Sequence, residues 1–148
     1  MEKYFLLIFL AICFSNCVFA ENVSDITTPS KEYAKKVMKD VLVSLGKLNI
    51  DEFANLLNED VFTFQTCSIP NIVPYEPFLN IVSKNFIGLG KKLDFDVYRA
   101  SVINTRFKFD VLLKGASKQP IDLHVTIIRD ITASKGFQVI SIKNNACF

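Results

Sequence analysis

The chain carries one histidine, His124, and that scarcity excludes a great deal of chemistry. Four cysteines at 13, 17, 67 and 147 with a single imidazole match no zinc spacing, so no metal site is expected. No Ser–His–Asp set and no glycine-rich phosphate loop can be assembled, and no cofactor is expected. The formal charge is only +2. With no basic surplus and no strip of aromatic and basic residues, nucleic acid is not an expected partner. Beyond residue 20 no apolar run approaches the roughly 20 residues of a membrane span. Repeats and low-complexity tracts are also missing, which leaves one ordinary folded unit.

The positive features begin at the N-terminus. Residues 1–20 read as a secretory signal peptide: Lys3, an unbroken apolar run of ten from Phe5 to Phe14, then Val18-Phe19-Ala20 ahead of Glu21. The run is too short to span a bilayer and is followed by Ser15 and Asn16, so no stable membrane insertion is expected after cleavage. Removing 20 of 148 residues leaves 128, enough for one domain with a real core. Cys13 and Cys17 depart with the signal. In the oxidising compartment this implies, Cys67 and Cys147 are most simply one disulfide; two separate thiols are the other reading. A bridge closing about 80 residues is worth about 4.5 kcal/mol at most in the chain-entropy model. Asn22-Val23-Ser24 is a glycosylation sequon at Asn22.

Residues 21–29 read as a flexible lead-in, and the domain is expected over 30–148. Ala34, Val37, Met38, Val41, Leu42 and Leu45 form one apolar stripe opposite Lys31, Lys35, Lys36 and Lys39, which predicts a helix over 31–45 capped by Thr28 or Ser30. Asn49 and Glu52 make a capping-box pattern for a second helix stopping near Asn58-Glu59-Asp60. Val61–Thr66 alternates as a strand. Pro70 and Pro74 forbid a long element, and Pro77 starts a third helix that ends by Gly88 and Gly90. Four strands come next, at Leu93–Ile103, Thr105–Leu113, Ile121–Ile131 and Phe137–Ile142, joined by short turns. Short links between long strands imply an antiparallel meander. The expected class is α+β: two to three N-terminal helices packed on a curved, mostly antiparallel sheet.

This order resembles the nuclear transport factor 2-like superfamily, the cone-shaped fold shared with ketosteroid isomerases and scytalone dehydratases. The resemblance rests on the helix at 31–45, the turn-helix NIDEFANLL, the stretch Asp60-Val61-Phe62-Thr63-Phe64, a short helix and the long meander, about 115 residues in all. A cystatin-like fold, one helix wrapped by four strands, accounts for residues 91–142 equally and for the preceding elements less well. The resemblance implies that the first and last strands lie parallel, which would bring Cys67 and Cys147 to one end of the sheet. It also implies homodimerisation through the outer sheet face.

The isomerases place a carboxylate just after their first strand. This chain has Phe64-Gln65-Thr66 there, so no catalytic residue is assigned. By alternation His124 shares the outer face with Asp122, Thr126 and Asp130, a solvent or crevice position, while Leu123, Val125 and Ile127 face inward. Arg99 and Arg129 fall in step with inward residues. They either meet an anionic group of a ligand, or a β-bulge or strand end turns them outward. Phe62, Phe64, Phe95, Phe107 and Phe109 would line the cone, which is either open for a small apolar ligand or filled as core. The reading is therefore a secreted, non-catalytic binding protein for a small apolar ligand or an extracellular protein. The candidate residues are Phe62, Phe64, Phe95, Arg99, Phe107, Phe109 and Arg129. The alternatives are an enzyme of isomerase, dehydratase or hydrolase type, and an interaction domain with a filled core.

Overall fold

The apolar stripe 34–45 needs a surface to cover, and the strands after residue 93 supply it. The structure is a computed structural model that describes residues 28–67, 71–88 and 92–147. The expected signal peptide at 1–20, the sequon at Asn22 and the lead-in up to residue 27 lie outside the described residues.

Helix α1 (Thr28–Leu45) buries Ala34, Val37, Met38, Leu42 and Leu45, the stripe predicted from spacing. It starts earlier than expected: Thr28 and Pro29 are already helical, because proline is preorganised for a first turn and its missing N–H has no partner to lose there. Helix α2 (Ile50–Ala54) is capped by Asn49, whose Oδ1 accepts from the Asp51 N–H at 2.9 Å. Glu52 does not close the expected box; it pairs with Lys47 instead. This helix ends at Ala54 rather than near Asn58. The backbone is claimed there by the sheet: Asn58 N–H donates to Val139 at 2.9 Å and Val139 N–H donates to Leu56 at 2.7 Å.

Strand β1 (Thr63–Gln65) pairs antiparallel with β2 (Ile72–Pro74), a short strand the prolines had hidden. Pro74 ends β2 and occupies the N-cap of α3 (Tyr75–Asn85), so α3 begins two residues ahead of Pro77. The meander is built of β3 (Asp94–Ile103), β4 (Arg106–Lys114), β5 (Ile121–Arg129) and β6 (Phe137–Asn144), and a 3-10 turn at Asn145–Cys147 closes it. Strand order is β2-β1-β6-β5-β4-β3, antiparallel except for the parallel pair β1–β6. The sheet is open, and two register shifts curve it. One lies between Val97 and Arg99 in β3, the other between Thr126 and Ile127 where β5 meets β6. An extra residue on one strand bends it and exchanges the faces of the residues beyond it.

The helices cover one face of this sheet. Phe78 of α3 anchors the core there, its ring 4.9 Å from Phe62, 5.0 Å from Phe64 and 6.2 Å from Phe53. Cys67, after β1, and Cys147, after β6, are joined in a disulfide with Cα atoms 5.0 Å apart. The parallel β1–β6 pair brings these ends together. At Gly115 (φ +88°) an added Cβ would run into the Lys92 carbonyl oxygen, so the β4–β5 turn requires glycine.

Candidate functional site

The core does not fill the space between the helices and the far half of the sheet. A pocket of about 200 Å³ remains there. Leu42 and Leu45 come from α1, Phe53 from α2 and Val82 from α3; Leu123 and Ile142 form the floor. Ile81, 39 % exposed, stands at the rim. The floor is apolar because β5 and β6 alternate: Leu123, Val125, Val139 and Ile142 turn inward. The shift between β5 and β6 leaves Ile140 unpaired, so that Val139 and Ile142 both face inward although three positions apart. Among the described residues that line the pocket, the one polar side chain is Asn144, at the end of β6. Its Oδ1 accepts the Ala146 N–H at 3.0 Å.

The candidate residues distribute around this pocket unevenly. Phe64 lines it. Phe62 is buried behind it against Phe78. Phe107 and Phe109 pack together at the other end of the sheet, ring centroids 5.8 Å apart, with Tyr33 closing on Phe107 at 5.1 Å. Phe95 is half-buried on β3 and packs against the core. Arg129 is exposed at the last position of β5. Arg99 is turned outward by the β3 bulge, and its Nε stands 3.6 Å from Asp110. Neither arginine is among the pocket's lining residues. Most of the lining escaped sequence reasoning, above all Asn144, Phe53 and Phe78. The apolar periods of α1 and α3 pointed to those surfaces as core, without marking where the core stops.

The opposite face of the sheet carries a polar network. Asp110, its side chain only 7 % exposed, accepts at 2.6 Å from Nδ1 of His124, its cross-strand partner in β4–β5. Asn145 donates to Asp122 at 2.9 Å and reaches Asp110 at 3.4 Å. Tyr98, the bulged residue of β3, donates its hydroxyl to Asp122 at 2.8 Å. Burial first, and this hydrogen bond second, raise the Tyr98 pKa above the ordinary 10.0. A buried carboxylate must be satisfied, and Asp110 is satisfied by His124, Asn145 and Arg99. His124 is thus oriented as in a catalytic dyad, but it lies across the sheet from the pocket. Its neighbours Leu123 and Val125 face the pocket instead. The arrangement ties β3, β4, β5 and the C-terminal turn together.

No family model matches the sequence, and no curated protein matches it. Solved structures do match in fold. A nuclear transport factor 2-like protein of unknown function from Methylobacillus flagellatus superposes with a TM-score of 0.59 at 7% identity, covering 80% of this chain and 92% of that one. One from Shewanella baltica gives 0.58 at 12% identity, covering 79% and 94%. One from Silicibacter pomeroyi gives 0.58 at 8% identity, covering 79% and 97%. At such identities the likeness is one of fold, and the fold is the one the sequence resembled: the nuclear transport factor 2-like cone rather than a cystatin-like wrap.

Proposed function

We propose that this protein, with its nuclear transport factor 2-like fold, is a secreted, non-catalytic binding protein. The pocket between helices and sheet would hold a small apolar molecule. The observation that carries this is the pocket's lining: among the described residues, apolar side chains from three helices and four strands, with one amide. An engineered apolar cavity of about 150 Å³ stays dry and takes up benzene. A pocket of about 200 Å³, open at Ile81, suits a ligand of roughly nine non-hydrogen atoms or one that protrudes at the rim. Among the described lining residues none carries a titratable side chain, and general acid–base chemistry needs one. The Cys67–Cys147 disulfide is in keeping with an extracellular location, since such bonds persist in oxidising compartments.

Native mass spectrometry of the protein secreted from its own tissue tests this. A co-purifying small molecule, lost on mild organic extraction, is the expected result. Consistently ligand-free protein that also binds no added apolar probe would overturn the reading.

A further inference from the structure

Asn144 does more than interrupt an apolar surface. Because its Oδ1 accepts the Ala146 N–H, the orientation of the amide is fixed by a donor that can meet only oxygen. The Nδ2 group is left as the side of the amide that can donate to a ligand, on a residue that lines the pocket. Among the described residues no protein group accepts a hydrogen bond from it. The backbone at this point is held from both sides: Asn144 pairs with Leu123 in β5, and the next residue, Asn145, is tied to Asp122 and Asp110. The amide is therefore held at the margin of a surface whose other described lining side chains are all apolar.

Resting on the pocket as a ligand site, we infer that the ligand is an uncharged apolar molecule bearing one hydrogen-bond acceptor, a carbonyl or ether oxygen, which receives the Nδ2–H of Asn144. A carboxylate or phosphate would meet, among the described lining residues, one neutral donor and no cation, and its desolvation would go uncompensated. A sugar or other polyhydroxylated molecule would leave most of its hydroxyls unpaired. A pure hydrocarbon would fill the volume and leave the amide unused.

The probes are acetophenone and α-methylstyrene, near-isosteres in which C=O becomes C=CH2. Titration calorimetry on the wild-type protein and Asn144→Leu gives the result. Acetophenone should weaken about fivefold in Asn144→Leu, the ratio that an ordinary neutral hydrogen bond corresponds to, while α-methylstyrene binds as before or more tightly. If both probes bind and Asn144→Leu alters them alike, the acceptor inference is overturned and the pocket reading stands. If neither binds wild-type protein at millimolar concentration, the pocket reading fails and the inference with it. Should Asn144→Leu not fold, the wild-type side-chain amide signals of Asn144 decide. Acetophenone should move them and α-methylstyrene should not; equal shifts overturn the inference.

Discussion

Asn144 and Asn145 are neighbours in the chain, yet Asn144 lines the apolar pocket while Asn145 donates to Asp122 at 2.9 Å in the polar network on the other face. Two residues further, Cys147 is bonded to Cys67. The end of β6 and the C-terminal turn after it thus meet the pocket, the polar network and the disulfide within four residues.

Cys147→Ser removes a bridge spanning 80 residues of sequence. It should cost about 2–4 kcal/mol, lower the yield of folded protein through the unpaired Cys67 thiol, and loosen the turn that follows Asn144. Thermal melting and yield measure the first two effects. Free-thiol labelling of the unreduced wild-type protein should find no reactive cysteine; two labelled cysteines would refute the bridge.

Asp110→Ala strands His124, Arg99 and Asn145 without their shared acceptor. The expected loss is about 2–3 kcal/mol in urea unfolding, as for hydrogen bonds to a charged group. Probe binding in the pocket should stay within about twofold, since Asp110 lies on the other face of the sheet and is not among the lining residues. A binding loss larger than the stability loss can explain would place the network inside the site.

Phe78→Ala deletes the ring shared by Phe53, Phe62 and Phe64. Denaturant unfolding should show about 3–5 kcal/mol of destabilisation. Phe95→Ala, at a half-buried position, should cost clearly less.

Gly115→Ala and Gly136→Ala make a controlled pair. Both glycines have positive φ, which costs an L-residue about 1–2 kcal/mol. At Gly136 an added Cβ meets nothing within 4 Å, whereas at Gly115 it meets the Lys92 carbonyl. Gly115→Ala should therefore be the more destabilising by denaturant titration; equality would mean that the turn relaxes freely.

Tyr98 supplies the pH prediction. Its folded pKa lies above the unfolded value near 10, so folding favours the protonated phenol. That contribution is complete below about pH 10 and is lost as pH rises through the folded pKa. Urea midpoints measured from about pH 8 to 11 should fall less steeply in Tyr98→Phe than in the wild type. Identical slopes would show that the hydroxyl is uncoupled from folding.

Local chemistry was legible in the residues. The stripe Ala34–Leu45 became the buried face of α1, Asn49 became a cap, and the four alternating segments became β3 to β6 within a few positions. The prolines misled in one place. Pro74 and Pro77 suppressed β2 and delayed α3, yet Pro74 stands at a strand end and Pro77 in a first turn, where a missing N–H matters little.

The candidate site was less legible, and Arg99 shows why. Alternation carried it inward with Phe95 and Val97, but one extra residue, Tyr98, turned it outward to Asp110. A bulge has no strong local signature, because any residue can occupy it and its gain comes from curvature across strands. The aromatic candidates divided for a related reason. Phe64 reached the pocket while Phe107 and Phe109 packed under Tyr33, and spacing alone cannot tell a residue that fills a core from one that borders a gap in it.

The sequence by itself determined the periods, the caps and which faces would be apolar, because these depend on neighbours three, four or two positions apart. It also reduced the cysteines outside the apolar N-terminal segment to one pair. Only the tertiary structure decided that this pair meets, that Arg99 faces away from the pocket, and that a cavity, with Asn144 the one polar side chain among its described lining residues, survives between α1, α3 and β6. Those outcomes depend on distances between elements far apart in the chain, and these are set by strand order and by two bulges rather than by any local run of residues.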